Sequence, residues 1–224
     1  MLKQVRRQMV CRTFAVLLLC QASAAWTAPE DDYRAGSQAY TTGDVVQAMA
    51  LLRKSADAGH ARSQSLLAYI LDMSEANDEA LAYYRKAVAQ GDPEGEFALG
   101  SKYASGEGVK RDPVQARKLI TSAAEKGNPS AIRLLAQAYI KGELGIDAAE
   151  RGGADALRWV RRAADAGDAP ALEQLANAYR TGAYGLAVDQ KQAAALDLKV
   201  REARGLTAKG AARKQGAASK QEKK

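Results

Sequence analysis

The chain is poor in the side chains that most enzyme chemistry needs. Its 224 residues include two cysteines, one histidine, two tryptophans and two phenylalanines. Both cysteines, Cys11 and Cys20, lie near the amino terminus. The rest of the chain can therefore build no disulfide framework and no cysteine-based metal site. A single imidazole, His60, excludes two-histidine zinc motifs and leaves one candidate base for any Ser- or Asp-containing triad. Beyond residue 25 no Ser-x-x-Lys occurs, which removes the Ser–Lys acyl-transfer pattern. The turns Gly106-Glu107-Gly108 and Gly142-Glu143-Leu144-Gly145 follow no strand pattern and precede no Gly-Lys-Ser/Thr, so they are not phosphate loops. The carboxylates are spread along the chain, and no pair is set apart for acid/base work. The sequence therefore predicts no catalytic residues, no cofactor and no metal.

Proline is also scarce, and its placement is informative. Of five prolines, Pro93, Pro113 and Pro129 each follow an Asp or Asn, and Pro170 sits one position later. Proline is tolerated at the first helical position, where its missing N–H costs nothing. A chain that keeps proline at helix starts and out of helix interiors is all-α.

What the chain has in place of chemistry is repetition. Gly59, Gly91, Gly127 and Gly167 recur at intervals of 32, 36 and 40 residues. Eight residues beyond each stand Leu67, Leu99, Leu135 and Leu175. Nine beyond stand Ala68, Gly100, Ala136 and Ala176, and twelve beyond Leu71, Tyr103, Tyr139 and Tyr179. Offsets eight, nine and twelve share one helix face. The large residues are expected to fill a core, and the small one to let a partner helix approach. Each closing glycine suits the left-handed residue that ends a helix. The residue after it (His60, Asp92, Asn128 or Asp168) suits the N-cap of the next. This assigns His60 to a helix start, not to a catalytic base. A period of this length means a stacked array.

The unit from Gly91 to Asn128 resembles the Sel-one-like repeat, a helix-pair relative of the tetratricopeptide repeat. The matching residues are Leu99-Gly100, Tyr103, Gly106-Glu107-Gly108-Val109, Asp112, Ala116 and Ala123-Ala124-Glu125-Lys126-Gly127. The resemblance implies a right-handed α-solenoid of about five stacked antiparallel helix pairs. The units run about 32–59, 60–91, 92–127, 128–167 and 168–204, within one helical repeat domain spanning 26–204. Trp26 to Asp31 is expected to be a polar lead-in. The unit after Gly59 lacks the turn glycines and has Leu71 in the Tyr position. The unit after Gly127 carries extra residues around Ala148 to Gly153. Some relatives staple each helix pair with a disulfide; here packing alone must hold the units.

Residues 1–25 have the pattern of a secretory signal peptide. Lys3, Arg6, Arg7 and Arg12 form a basic start, Phe14 to Cys20 a short apolar run, and Ala22-Ser23-Ala24 a small-residue cleavage site. The expectation is removal after Ala24 or Ala25 and a periplasmic or secreted protein. The large Leu19 before Cys20 argues against a lipoprotein. From Gly205 large apolar residues stop after Leu206, so 205–224 is expected to be a disordered basic tail. Charge divides with these segments. The net +7 and the pI of about 9.4 come from the two ends, and the body between them is acidic. That balance argues against nucleic acid. It suits a tail that touches an anionic surface or an acidic partner.

Surface remains as the seat of function. By resemblance to tetratricopeptide repeats, offsets three, six, ten and thirteen line a concave groove, among them Arg62, Ser65, Glu94, Phe97 and Glu173. The anchors selected for a protein or peptide partner are Tyr69, Arg133 and Arg180, with Gln137 and Asn177 to hold its backbone. The family implies a non-catalytic interaction protein of the cell envelope. The alternative is a scaffold subunit of an envelope machine, for exopolysaccharide secretion or a flagellar motor. A hydrolase is the third reading.

Overall fold

The closing glycines and the caps are where the chain turns. In the computed structural model, which describes residues 28–206, Gly59, Gly91, Gly127 and Gly167 have φ of +94°, +74°, +91° and +83°. L-residues avoid that region and glycine enters it freely. After each, a side chain caps the next helix. The N–H groups of Ser63, Gly95, Ala131 and Ala171 donate to His60 Nδ1, Asp92 Oδ2, Asn128 Oδ1 and Asp168 Oδ1. The distances are 3.3, 3.0, 2.8 and 3.0 Å.

Among the described residues there are eleven α-helices, one 3-10 turn and no strand. The helices are α1 Ala28–Thr41, α2 Val45–Asp57, α3 Ala61–Met73, α4 Asn77–Ala89 and α5 Pro93–Ser105. They continue as α6 Pro113–Glu125, α7 Pro129–Lys141, α8 Ala148–Arg151, α9 Ala154–Asp165, α10 Ala169–Thr181 and α11 Gln190–Ala203, with the 3-10 turn at Ala183–Gly185. The first helix, Ala28–Thr41, includes residues 28–31 of the stretch expected to be a lead-in. Pro29 stands in its first turn, where no intrahelical N–H is required, and Glu30 and Asp31 favour the positive end of the helix dipole. The leader, its cleavage site and residues 207–224 lie outside the described residues.

The chain divides into two compact units, residues 1–99 and 100–224. In the first, α1 packs on α2, α2 on α3 and α3 on α4, and α1 also meets α3. In the second, α6 packs on α7, α7 on α9, α9 on α10 and α10 on α11, and α7 also meets α10. The leading helices of successive pairs thus stand side by side within each unit and form one face.

The core follows the predicted offsets. Leu67, Leu99, Leu135 and Leu175 are buried, and so are Ala68, Gly100, Ala136 and Ala176. A Cβ on Gly100 would lie 2.9 Å from Ile120 Cγ1, and one on Gly36 would lie 2.8 Å from Leu52 Cγ. Only glycine lets these helices approach so closely. Offset twelve departs from expectation. Leu71 and Tyr139 are buried, but Tyr103 and Tyr179 are half-buried. A buried phenol needs a partner for its hydroxyl. Tyr139 has one in Arg117, whose Nη2 donates to Oη at 3.2 Å. Tyr103 and Tyr179 have no such cover, and their rings stay at the surface.

Candidate groove on the leading helices

The leading-helix face of the first unit is concave and aromatic. A groove of about 480 Å³ is bounded chiefly by Tyr33 and Ser37 of α1, Arg62 and Tyr69 of α3, and Glu94 and Phe97 of α5. Four of these six stand at the predicted offsets. Tyr69 is 46% exposed, the largest open ring on this face, and Tyr40 meets it edge-on with centroids 6.3 Å apart. The Arg62 guanidinium lies over the Tyr33 ring, 4.7 Å from its centroid. The groove therefore already holds one cation on a tyrosine face, an arrangement driven by the ring quadrupole.

The floor is fixed by buried polar bonds. Ser65 Oγ donates to Asp92 Oδ2 at 2.6 Å, and the same oxygen caps α5 through the Gly95 N–H. Gly95 permits this, since a Cβ there would lie 2.8 Å from Ser65 Oγ. The phenol of Tyr84 titrates well above its ordinary value, first because of burial and then because of Asp72 and Tyr69. Burial likewise raises Tyr40, with Tyr69 adding to the effect. The phenols of Tyr84 and Tyr40 are thus neutral across the physiological range.

In the second unit the selected residues are dispersed. Arg133 and Asn177 are exposed, and Gln137 is half-buried. Arg180 is exposed but engaged, since Nη2 bonds both carboxylate oxygens of Asp197 on α11, one of them at 2.6 Å. Asp197 holds the guanidinium of Arg180 charged well above its ordinary range. Glu173, expected on the same face, pairs with Arg204 at 2.5 Å. A smaller hollow of about 270 Å³ lies beside Arg133, Ile132 and Asp168.

Two features escaped the sequence reading. The first is the α1 rim of the groove, Tyr33, Ser37 and Tyr40. A count back of 32 residues from Gly59 reaches position 27 and puts Gly36 at offset nine and Ala39 at twelve, both buried. Tyr33, Ser37 and Tyr40 then fall at six, ten and thirteen, so the register was present without its closing glycine. The second is the extra stretch after Gly145. It forms α8, started by a capping box between Asp147 and Glu150. Glu150 also takes a fork of bonds from Arg117, 3.1 Å from Nη1 and 2.5 Å from Nη2. This pair holds Glu150 below its ordinary value, with the Arg117 bonds the largest cause.

One constellation imitates a hydrolase. Glu30 Oε2 lies 3.0 Å from His60 Nε2, and His60 Nδ1 lies 2.8 Å from Ser63 Oγ. However, Ser63 is fully buried, and its hydroxyl is 2.7 Å from Ser55 Oγ, which in turn donates to the Pro29 carbonyl. No substrate carbonyl can reach that oxygen. The imidazole serves as the cap of α3, in line with the sequence assignment of His60. Among the described residues no group of three or more His, Cys, Asp or Glu is arranged to hold a metal ion. None of the described helices is long and apolar enough to cross a membrane.

Paired helices, left-handed glycine stops and, within each unit, a common face of leading helices define an all-α fold of solenoid-type helix-pair repeats. The Sel1 repeat family model matches residues 33–60, 61–92, 93–128, 129–168 and 169–196, and the chain belongs to that family. A crystal structure of a Sel1 repeat protein from Oxalobacter formigenes is similar, with a TM-score of 0.66 and 27% identity over 76% of this chain and 70% of that one. So is c5321, a protective antigen of uropathogenic Escherichia coli strains with an SLR fold. Its TM-score is 0.65 at 29% identity, covering 81% of this chain and 40% of that one. An uncharacterized protein of Neisseria meningitidis, NMB1327, is 31% identical over 123 residues, which make up 53% of this chain and 26% of that protein. The chain thus spans about a quarter of that relative's length. Sel1 repeat proteins typically act as protein-interaction scaffolds and are generally non-catalytic.

Proposed function

We propose that this protein is an exported, non-catalytic scaffold that receives an extended segment of a partner protein on its leading-helix face. The observation that carries this reading is the groove of the first unit. Tyr33, Tyr69 and Phe97 converge there on a concavity of about 480 Å³ whose polar floor is already satisfied. Large, stiff side chains with a polar tip give contact area at low cost in conformational entropy, and interface energy concentrates on them. In the second unit, Arg133, Gln137 and Asn177 are the groups available for a peptide backbone. The pattern in residues 1–25 supports export to the periplasm or medium, and the acidic body argues for a protein ligand over nucleic acid. Service as a subunit of an envelope machine is compatible with the same groove.

Two experiments test this. Display selection of random peptides on the full chain should yield ligands that Tyr69→Ser with Phe97→Ser releases at least tenfold faster while the melting temperature is kept. Ligands indifferent to both substitutions would overturn the groove assignment. Amino-terminal sequencing of the protein from envelope fractions should begin at Ala25 or Trp26; a protein beginning at Met1, or a lipid-modified Cys20, would overturn export by a cleaved leader.

A further inference from the structure

Among the described residues four arginines lie over an aromatic ring, and three of them are also tied to a carboxylate. Arg117 lies over Tyr139 and pairs with Glu150, while Arg158 and Arg162 lie over Trp159 and pair with Glu125. The fourth is Arg62. Its guanidinium carbon stands 4.7 Å from the centroid of the Tyr33 ring, and among the described residues it pairs with no Asp or Glu. Arg62 is exposed and lines the groove of the first unit. A guanidinium resting on a ring spends its face there. The N–H donors along its edge stay available for a planar, two-point bond to a carboxylate. The stack also holds the side chain in place, so less freedom is lost when that bond forms. At the other three arginines the protein supplies the acid; at Arg62 the place of the acid is open.

Resting on the reading of the groove as a site for an extended segment, we infer that Arg62 receives the side-chain carboxylate of an Asp or Glu within that segment. The register of α3 fixes what accompanies the acid. Arg62 and Tyr69 stand about two turns apart on one face of α3, roughly 10 Å along its axis. An extended chain covers that length in about three residues. The segment therefore carries an apolar side chain about three residues from its acid, placed against the open ring of Tyr69 and against Phe97. The path does not stop at Arg62. The same side chain borders a second hollow of about 540 Å³, lined also by Pro29, Glu30, His60 and Gln90. The bound chain can run on past the guanidinium, so the carboxylate is that of a side chain and not of a chain end. One acid is taken and no more. Glu94 also lines the groove, and residues 28–99 hold twelve Asp and Glu against six Lys and Arg, so a run of acids would be repelled.

Display selection of short random peptides on the full chain tests this, followed by fluorescence anisotropy of a selected peptide made with an amidated carboxyl terminus. The selected sequences should share one Asp or Glu about three residues from an aromatic or large aliphatic residue. Changing that acid to its amide in the peptide should weaken binding about tenfold, and so should Arg62→Gln in the protein, at an unchanged melting temperature. The two changes together should weaken it no further than either alone, because they remove the same bond. Losses that add, or selected peptides that carry no acid, would overturn the inference. If such peptides still depend on Tyr69 and Phe97, the groove reading stands without the carboxylate. Peptides indifferent to Tyr69 and Phe97, or a selection that enriches none, would remove both.

Discussion

The two units are built from the same repeat, yet the most prominent ring of each, Trp159 and Tyr69, is treated in opposite ways. In the second unit Trp159 is 1% exposed and roofed by two guanidinium groups, Arg158 at 4.4 Å and Arg162 at 4.9 Å from its ring. Both arginines also pair with Glu125. Tyr139 is closed in a similar way by Arg117, which Glu150 holds in place. In the first unit Tyr69 stands open along a trough that Phe97 and the Arg62-covered Tyr33 also line. The charge balance follows: residues 28–99 are acidic, whereas residues 100–206 hold 17 Lys and Arg against 13 Asp and Glu. An arginine laid over a ring and tied to a carboxylate closes a surface. A ring without that cover is available to another chain. On the proposed reading, the roofed rings of the second unit serve stability and the open ring of Tyr69 in the first serves recognition.

Substitutions that exchange these roles should have unequal effects. The largest is expected for Trp159→Ala, which leaves a cavity and two unroofed arginines and should destabilise by about 3–5 kcal/mol, as large aromatic truncations do. Chemical denaturation measures it, and a loss below about 1 kcal/mol would mean that Trp159 is not core. Gly127→Val comes next. No atom lies within 4 Å of a Cβ there, so the cost is the φ of +91° alone, about 1–3 kcal/mol. Arg117→Ala leaves the buried Tyr139 hydroxyl without its donor and should cost about 1–3 kcal/mol.

The same latch gives a pH dependence. The folded protein holds Glu150 below its ordinary value, so it contributes stability above that value and loses it as pH falls through the lowered one. Glu150→Gln should therefore flatten the acid limb of the melting-temperature profile below about pH 4.5 and leave its slope near neutrality unchanged. A parallel downward shift at every pH would contradict this. The smallest stability effect belongs to Tyr69→Ala, within about 1 kcal/mol, because the ring it removes is half exposed and gives up chiefly its edge-on contact with Tyr40.

Much of the scaffold could be read in advance because its devices are local. Glycine at positive φ, Asp or Asn one residue later and proline at the helix start each leave a mark at a fixed offset. Gly91, Asp92 and Pro93 carry all three. Burial at offset twelve was harder, because it depends on a distant partner. Tyr139 is buried since Arg117, 22 residues earlier, reaches its hydroxyl, and Tyr103 has no equivalent. The Arg117–Glu150 latch spans 33 residues and a stretch outside the repeat, so no periodicity announces it. The Asp147-x-x-Glu150 spacing is the one local signal that α8 carries. For the groove, offsets predicted Arg62, Tyr69, Glu94 and Phe97, but not that the α1 tyrosines complete it. Arg180 shows the converse, since an offset says which face a residue is on and not that Asp197 already holds it.

The central claim is that the open trough of the first unit, and not the roofed surface of the second, is where other proteins bind. Site-specific photo-crosslinking in the native host tests it most directly. A benzophenone side chain would be placed at position 69 in one strain and at position 161, on the exposed arginine face of α9, in another. The account predicts a discrete crosslinked partner from position 69, abolished by Phe97→Ser, and none from position 161. The same partner captured from 161 and absent from 69 would contradict it.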